Sequence, residues 1–375
     1  MFEEIAALAQ NADQMFQRAA QQLVESGQLH HLFDLRLLEC RHRLALPLEQ
    51  NSSIDDLPEP ERSRLETAYM AACREVGQLL LESGQPREAW GYLRPAGEKK
   101  MVSDWLATVV PNDEQADELI ELALYEAIDP ERGFAWLLAR RGTCNAITEL
   151  GGLSTQLPVA GQIACAAVLV RHLHEELLGN VQGHLERLEE EVPEGVSVIA
   201  LLDQHPSLMQ DGAYHVDTSH LATTVRFARL LTEPALLKLA IELADYGSRL
   251  DQELQYPDQP PFEDLFATHL QFFRAILGEQ QEQAVEYFSK QARSVSVESY
   301  GTSAIESYLI LLVRTGQPDR ALAEYPEIVP ANCVLSSLAP SLLQLAQTAG
   351  QWERYFEICQ SRNDLVGFAA GQLMQ

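Results

Sequence analysis

One local pattern recurs along the chain and limits the folds open to it: an apolar helical stretch, a Gly-Gln break and a second helical stretch. Its clearest copy is Leu309–Tyr325, LILLVRTGQPDRALAEY. Other copies are Leu79–Ala89, Leu23–Leu32 and Leu345–Tyr355, with a looser one at Ile276–Ala284. Glycine can adopt the positive φ that ends a helix, and proline is tolerated in the first turn of the next helix. The recurrence therefore predicts repeated, tightly turned helix pairs.

The spacing of these copies resembles the tetratricopeptide repeat (TPR). Ala321 follows Gly316 by five positions, and the copy at Leu79–Ala89 has the same relation between its glycine and alanine. A small residue at that place lets the second helix pass close to the first. Gly316 and Gly350 are 34 residues apart, the period of the TPR family, and Pro330 lies near the position of the family's closing proline.

This resemblance implies an all-α fold: an α-solenoid of antiparallel helix hairpins that forms a TPR-like superhelix, clearest over residues 262–375. Upstream, the sequence predicts an N-terminal helical hairpin at 1–46, a linker or long loop at 47–61, helical repeats at 62–150, and a central helical region with irregular repeats at 151–261. The linker has three prolines among polar residues, which disfavour a continuous helix.

The central region carries its own local predictions. Leu157–Leu178 is a strongly apolar helix, and Val181–Glu191 is predicted as a separate partner helix. Val196–Leu202 has the β-branched residues of a strand, but so short a run in a helical neighbourhood is more typical of a buried helix or loop. Asp217, or the threonine after it, is expected to cap the next helix. Leu254–Pro261, with three prolines, is predicted to be a rigid loop.

The charge of the chain restricts its partners. Asp and Glu number 55 against 27 Lys and Arg, so the formal net charge is −28. Such a field repels nucleic-acid phosphates and anionic membrane surfaces, and it favours basic or neutral partners. A plain acidic surface that serves only solubility is the open alternative.

Cysteine usage and the first residues predict a cytoplasmic protein. The six cysteines are spread singly, with no CxxC pair, as expected for reduced, buried thiols rather than a disulfide or zinc framework. The first residues, MFEEIAALAQNADQMF, carry acids where a secretory signal requires basic residues. The longest charge-free apolar run, Pro158–Val170, is too short to cross a bilayer.

Histidines and carboxylates in the middle of the chain are candidates for a metal site. The motif HVDTSH contains His215, Asp217 and His220, and His269 lies one helix pair later. If helices alternate, the helices around His220 and His269 share one layer with the helix that contains His174, and they line the concave face of a solenoid. Two imidazoles and a carboxylate suit a divalent transition metal such as Zn, Fe or Mn.

Each of these residues also has a structural interpretation. Asp217 at a helix start is typical of an N-cap, because its carboxylate accepts unpaired backbone N–H groups. His269 lies on a stripe of phenylalanines, where a histidine is usually a satisfied core residue. His174 and Glu175 stand near the end of a helix, where histidine is favoured by the helix dipole and a carboxylate is simply solvated.

Aromatic and arginine side chains border the same region. Tyr214, Arg226, Phe227 and Tyr256 are predicted binding residues, with Arg229 and Phe262 beside them in the same segments; packing alone is the alternative for each. The chain has no GxGxxG, GxxxxGK[ST], GxSxG or HExxH motif.

Two functions follow from these patterns. The first is a TPR-like scaffold or interaction protein that binds a peptide or protein partner, basic in character, on an acidic concave surface. The alternative is a metal-dependent enzyme on a helical-repeat body. Its ligands are His174, His215, His220 and His269, and Asp217 or Glu175 is its catalytic carboxylate.

Overall fold

The computed structural model describes residues 2–49, 56–153, 155–190 and 195–375. It confirms the predicted all-α class: within these ranges the elements are helices and turns, and the β-type pairing is one isolated bridge between Pro257 and Asp264. The chain divides into two compact units, Met1–Arg140 and Arg141–Gln375. The finer five-part division expected from the sequence stays a prediction.

The first unit is built from short and medium helices. These are α1 Phe2–Ala7, α2 Ala12–Glu25, α3 Leu29–Arg43, α4 Glu59–Glu82, α5 Pro86–Leu93, α6 Lys99–Leu106, α7 Ala116–Ile120 and a π-helical turn at Glu121–Tyr125. The helix α8, Pro130–Leu153, begins in this unit and is interrupted at Gly142, whose φ of 75° and ψ of 169° are not helical. The boundary between the units falls at this interruption.

The second unit continues from α8. Its helices are α9 Val159–Arg187, α10 Val198–Gln204, α11 Thr218–Ala228, α12 Pro234–Ser248, α13 Leu265–Ile276, α14 Gln281–Ser294, α15 Val297–Tyr300, α16 Ser303–Arg314, α17 Pro318–Ile328, α18 Leu342–Ala349, α19 Trp352–Ser361 and α20 Leu365–Met374. Single-turn 3-10 helices lie at Pro206–Met209 and Gln252–Leu254.

The turns of the recurring pattern have the predicted chemistry. Gly316 ends α16 with a φ of +74°, and Gln317 N–H donates to the Leu312 carbonyl across the turn at 2.8 Å. Pro318 occupies the first turn of α17, and Ala321 is fully buried. Only three residues therefore separate the end of α16 at Arg314 from the start of α17 at Pro318, as the local pattern requires.

Packing follows the order of the chain. In the first unit, α4 contacts α3 and α5; in the second, α11 contacts α9, α12 and α13, and each helix from α16 to α20 contacts the next. Each unit has its own apolar core, which extends from Ala20 to Ile128 in the first and from Ala166 to Cys359 in the second. The helices thus pack in neighbouring contacts that are compatible with a helical repeat.

The structure corrects one boundary in the central region. Leu157–Leu178 and Val181–Glu191 were expected to be separate helices, but α9 continues through Gly179 to Arg187. Because Val181 and Leu185 are fully buried, their burial outweighs the cost of about 1 kcal/mol for a glycine in a helix interior.

Other local predictions have mixed outcomes. The segment 196–202 is helical from Val198, in agreement with the preference for a short helix over a strand. Within the predicted linker at 47–61, residues 50–55 lie outside the described part of the chain, and α4 begins at Glu59. All six cysteines are free; Cys73, Cys165 and Cys359 are buried as predicted, whereas Cys40 and Cys333 are half-buried and Cys144 is exposed.

Across the described residues, no helix combines the length and apolar character that a bilayer crossing requires.

Candidate binding cavity

A cavity of about 460 Å³ lies in the second unit, between α9, α11, α16 and the loop at 255–264. Its volume is within the range of about 300–1,000 Å³ that is typical of ligand pockets. The apolar part of its wall is formed by Val159, Ile163, Phe227, Leu230, Ile310 and Leu338. The charged part is formed by Arg226, Arg229, Asp258, Glu306 and Arg314. The cavity therefore offers an apolar wall beside charges of both signs.

Helix α11 presents its side chains to the cavity by simple helical periodicity. Thr223, Arg226, Phe227 and Leu230 line the cavity and are spaced i, i+3, i+4 and i+7, which places them on one face. The opposite face buries apolar residues such as Leu221 in the core. The sequence-predicted binding residues Arg226 and Phe227 thus share one cavity wall.

Arg314, the last residue of α16, anchors the end of α11. Its Nη1 donates to the carbonyls of Arg229 at 2.5 Å and Leu231 at 3.1 Å, and its Nη2 donates to the Leu230 carbonyl at 3.2 Å. These carbonyls belong to a helix end, where intrahelical partners are lacking. Burial, with a contribution from the Arg229 charge, lowers the pKa of Arg314 to about 10, so it remains cationic at neutral pH. Its part is structural: it holds α11 against α16.

Arg229 is half-buried, and only one of its guanidinium nitrogens donates a hydrogen bond within the described residues. Its Nη2 donates to Ser307 Oγ at 2.6 Å, and Ser307 itself donates to the Ser303 carbonyl. Its Nε and Nη1 have no hydrogen-bond partner among the described residues. Burial lowers the pKa of Arg229, while the carboxylates of Asp258 and Glu306 oppose this effect. The Arg229 guanidinium is therefore held in place by Ser307, while its Nε and Nη1 donors are not used within the described residues.

Glu306 faces Arg229 from α16 and is fully engaged. It accepts hydrogen bonds from Thr302 Oγ1 at 2.7 Å and from the Ser336 N–H and hydroxyl at 2.8 and 2.5 Å. These bonds tie α16 to the segment between α17 and α18. Glu306 thus fixes one side of the cavity and contributes a negative charge near Arg229.

Asp258 lines the cavity, and one oxygen of its carboxylate is buried without a hydrogen-bond partner among the described residues. Its side chain is only 5% exposed, although it lies in the loop at 255–264. Oδ1 accepts the Gln259 N–H at 2.8 Å and lies 3.9 Å from Arg226 Nε. Oδ2 has no hydrogen-bond partner in the described part of the chain. Arg226 secures the loop by donating to the Pro257 carbonyl at 2.9 Å.

His269 lies behind Asp258 and is not a free ligand. It is 1% exposed; its Nδ1 is 2.7 Å from the Leu265 carbonyl and 3.7 Å from Asp258 Oδ2. Burial, assisted by the charges of Arg229 and Arg226, lowers the pKa of His269 to about 3. The imidazole is therefore neutral, with its proton on Nδ1, and its Nε2 is a buried acceptor without a partner.

His215 belongs to a separate cluster. The Tyr246 hydroxyl accepts the His215 N–H at 2.7 Å and lies 3.1 Å from His215 Nδ1, while His215 Nε2 lies 2.9 Å from His184 Nδ1. Burial lowers the pKa of His215 to about 4, and the nearby His184 and Arg187 contribute smaller effects in the same direction. This chain of hydrogen bonds orders a polar pocket of about 390 Å³ bordered by Tyr214.

The four histidines predicted as metal ligands do not converge. His174 pairs with Glu242 at 3.0 Å, His220 is half-buried on α11, and His215 and His269 have the partners described above. Among the described residues, no group of three or more His, Cys, Asp and Glu side chains is arranged to hold a metal ion. Helix α11 contacts both α9 and α13, but the histidines on α9 and α13 have separate partners: His174 pairs with Glu242, and His269 with the Leu265 carbonyl. The geometry gives the predicted metal centre no support.

The remaining predicted site residues either cap a helix or lie exposed outside the cavity. Asp217 caps α11, because its Oδ1 accepts the N–H groups of Ser219 at 2.9 Å and His220 at 3.1 Å. The Ser219 hydroxyl bond lowers the pKa of Asp217 most. Glu175 is exposed on α9. Tyr256 is 42% exposed in the loop beside the cavity and does not line it.

Sequence reasoning missed Asp258, Glu306 and Arg314, which line the same cavity as Arg226. The only sequence feature that pointed to Asp258 was its place in a polar, proline-rich loop. The only feature that pointed to Glu306 was its place in a helix of the repeat pattern. Their proximity is a tertiary property of α11, α16 and the loop, so no local spacing in the sequence encodes it.

No family model, curated protein sequence or solved structure matches the chain significantly. The chemistry of the cavity is therefore the main guide to function.

Proposed function

We propose that this chain is an interaction protein built from TPR-like antiparallel helix hairpins, and that its second unit binds a peptide segment of a partner protein in the cavity beside Arg229. The turns at Gly84 and Gly316, both with positive φ, and the packing of helices in chain order support the repeat. Binding is non-covalent, and the cavity is the recognition site.

The observation that carries the proposal is the state of Arg229. A guanidinium normally has five N–H donors, and here one nitrogen is bound to Ser307 while the others have no partner in the described ranges. Burial of a cation with unused donors is costly, and a bound ligand that accepts hydrogen bonds recovers that cost. Apolar surroundings of the kind that line this cavity strengthen such contacts.

The net charge of the whole chain limits the class of partner that can bind. A net charge of −28 disfavours strongly anionic partners and speeds the approach of basic or neutral ones. The local excess of arginine in the cavity then binds an acceptor group within that partner. We therefore expect a peptide that is neutral or basic along its length and carries one acceptor-rich group.

The proposal is tested with the full chain and a panel of fluorescent octapeptides of basic, neutral and acidic composition. We expect basic and neutral peptides to bind, with affinity that falls as salt rises. Arg229→Gln is expected to weaken binding at least tenfold, because it removes the charged donors.

Two further variants make this test specific. Thr223→Trp places an indole on the cavity wall without changing a core residue, and it is expected to abolish binding. Arg354→Gln, whose side chain pairs with Glu357 at 3.0 Å on α19, is the matched control and is expected to bind as the wild type. Equal binding by all three variants, or no binding by any peptide, contradicts the proposal.

A further inference from the structure

We infer that the pocket beside His184 is a second binding site, formed by other residues than the cavity near Arg229, and that it takes the phosphate group of a small phosphomonoester. The inference goes beyond the proposed peptide binding and does not depend on it. It follows from a chain of hydrogen bonds in the second unit that begins at a buried phenol and ends at an imidazole of the pocket wall.

The buried end of this hydrogen-bond chain is Tyr246 on α12. Its hydroxyl accepts the His215 backbone N–H at 2.7 Å, and burial raises the pKa of Tyr246 to about 12, so the phenol keeps its proton. Among the described residues, the acceptor that this hydroxyl contacts is His215 Nδ1, at 3.1 Å. Tyr246 therefore donates to Nδ1, and the neutral His215 carries its own proton on Nε2.

The tautomer of His215 determines the tautomer of His184 on α9. His215 Nε2 lies 2.9 Å from His184 Nδ1, so the Nε2 proton is donated to Nδ1. A neutral His184 then carries its own proton on Nε2, and this N–H has no hydrogen-bond partner among the described residues. Because His184 lines the pocket, the chain of hydrogen bonds fixes an unused N–H donor on the pocket wall.

Arg187 adds a positive charge three residues further along α9. The spacing i, i+3 places it on the same helix face as His184, and both residues line the pocket. Arg187 is exposed and forms no ion pair within the described part of the chain. Burial lowers the pKa of His215 to about 4, and the charges of His184 and Arg187 contribute, so Arg187 lies electrostatically close to the imidazole pair.

The composition of the pocket wall favours an anion. Its volume is about 390 Å³, and the described residues that line it include no Asp or Glu, whereas the cavity near Arg229 has two carboxylates. A single guanidinium fork satisfies both oxygens of a carboxylate. A phosphate group has a third acceptor oxygen, which is left for the His184 N–H.

The net charge of −28 limits the source of the phosphate. Nucleic acids and anionic membranes bring many phosphates into the repulsive field of the chain, whereas a small ester brings one. Salt screens charges beyond about 8 Å at physiological ionic strength, so the nearby pocket residues dominate for a ligand of this size. Tyr214 lines the pocket and is 59% exposed, and its ring offers a surface for the organic part of an ester.

The test measures the binding of phenyl phosphate, inorganic phosphate and benzoate to the full chain by isothermal titration calorimetry at pH 7. Phenyl phosphate is expected to bind about tenfold more tightly than benzoate, because only the phosphate keeps an oxygen for the imidazole. Equal binding of phenyl phosphate and benzoate, or no binding of either, overturns the inference. Inorganic phosphate that binds as tightly as phenyl phosphate overturns the assignment of an ester.

Three charge variants locate the binding of phenyl phosphate. Arg187→Gln is expected to weaken it about tenfold or more. Lys238→Gln removes a positive charge at an exposed position of α12 and is the matched control, expected to bind as the wild type. Arg229→Gln is also expected to bind as the wild type. Equal weakening in Arg187→Gln and Lys238→Gln, or loss of binding in Arg229→Gln, overturns the assignment to this pocket.

Two substitutions of His184 test its N–H donor. His184→Asn offers an amide oxygen near the position of Nδ1, so it still accepts from His215, but it has no donor at the position of Nε2. It is expected to weaken the binding of phenyl phosphate about tenfold. His184→Gln offers an amide nitrogen near the position of Nε2 and is expected to retain most of the affinity. Wild-type affinity in His184→Asn overturns the role given to the N–H.

Tyr246 acts as a positioning residue, and Tyr246→Phe tests it. Without the hydroxyl, His215 is free to change its tautomer, and we expect phenyl phosphate to bind about threefold more weakly. Nitrogen-15 NMR of labelled histidines is expected to show His184 protonated on Nε2 in the wild type and a mixture of both tautomers in Tyr246→Phe. An unchanged His184 tautomer in this variant overturns the role given to the hydrogen-bond chain.

Discussion

The central region, from α9 to α13, and the regular region, from α16 to α19, satisfy their buried polar groups differently. Within the described part of the chain, the buried side-chain nitrogen and oxygen atoms without a hydrogen bond are Thr224 Oγ1, Asp258 Oδ2 and His269 Nε2. All three belong to the central region or its loop. In the regular region, even Glu306 and Tyr308 have their polar atoms bound.

The candidate cavity uses both regions: α16 of the regular region forms one wall, and α11 and the loop at 255–264 of the central region form the others. The turn at Gly316 places α16 and α17, and α16 in turn anchors α11 through Arg314. The central region adds a long loop and leaves polar atoms open. Such local departures from full satisfaction are expected at functional sites and reduce stability there.

The first prediction compares two helix-interior glycines of the central region. A Cβ on Gly247 of α12 would overlap the ring of Phe266 on α13, whereas a Cβ on Gly179 of α9 would meet nothing. Gly247→Ala is expected to lower the free energy of unfolding by about 2 kcal/mol through overpacking. Gly179→Ala is expected to raise it by up to about 1 kcal/mol. Chemical denaturation of both variants checks this, and a stable Gly247→Ala contradicts the close α12–α13 contact.

The second prediction uses the buried His269. Its pKa is lowered to about 3 in the fold against an ordinary 6.5, so the unfolded chain takes up a proton first as the pH falls. Its contribution is complete above pH 6.5 and is lost progressively below it. Between pH 6.5 and 5 this amounts to about 2 kcal/mol, at about 1.4 kcal/mol per pH unit.

His269→Gln keeps a donor for the Leu265 carbonyl and removes the titration. The stability it loses between pH 7 and 5 is expected to be smaller than the wild-type loss by about 2 kcal/mol. His31→Gln, at an exposed position in α3, is the control and is expected to follow the wild-type profile. Parallel profiles for wild type and His269→Gln would show that His269 is not buried and neutral.

The third prediction concerns the turn of the regular region. Gly316 has a φ of +74° and open space around it, so its need for glycine is conformational rather than steric. Gly316→Ala is expected to cost about 1.5 kcal/mol of stability. Gly84→Ala, at the equivalent turn of the first unit with a φ of +75°, is expected to behave alike in thermal unfolding. Unequal costs would argue against a shared turn.

The fourth prediction concerns the removal of a buried hydroxyl group that has no hydrogen-bond partner among the described residues. Thr224 is fully buried and its hydroxyl has no partner among the described residues, so Thr224→Val is expected to stabilise the chain by about 1 kcal/mol. Thr268 is 5% exposed, and its hydroxyl lies 3.3 Å from the Tyr287 hydroxyl. Thr268→Val is the matched control and is expected to destabilise by about the same amount. A loss of stability in both variants would contradict the contrast between satisfied and unsatisfied hydroxyls.

The sequence predicted those features that short-range rules determine. The all-α class, the turn at Gly316, the small Ala321 and the Asp217 cap depend on a few neighbouring residues, and each is confirmed. The break expected at Gly179 was wrong, because burial of the following apolar residues continues the helix.

The site was predictable only in part. Arg226 and Phe227 stand out because they are adjacent on one helix face, and they do line the cavity. The sequence placed His174, His220 and His269 on one layer of helices, but among the described residues no group of three or more His, Cys, Asp and Glu side chains could hold a metal ion. Helices that contact each other can still direct their side chains to different partners. Asp258 and Glu306 come from elements distant in sequence, and only the tertiary packing brings them to Arg229.

The most direct test is a crystal structure of the full chain with a tightly binding peptide from the panel. We expect the peptide to occupy the cavity lined by Arg226, Phe227 and Arg229, with an acceptor group within hydrogen-bond distance of the Arg229 guanidinium. A peptide bound elsewhere with the cavity empty would contradict the proposed function.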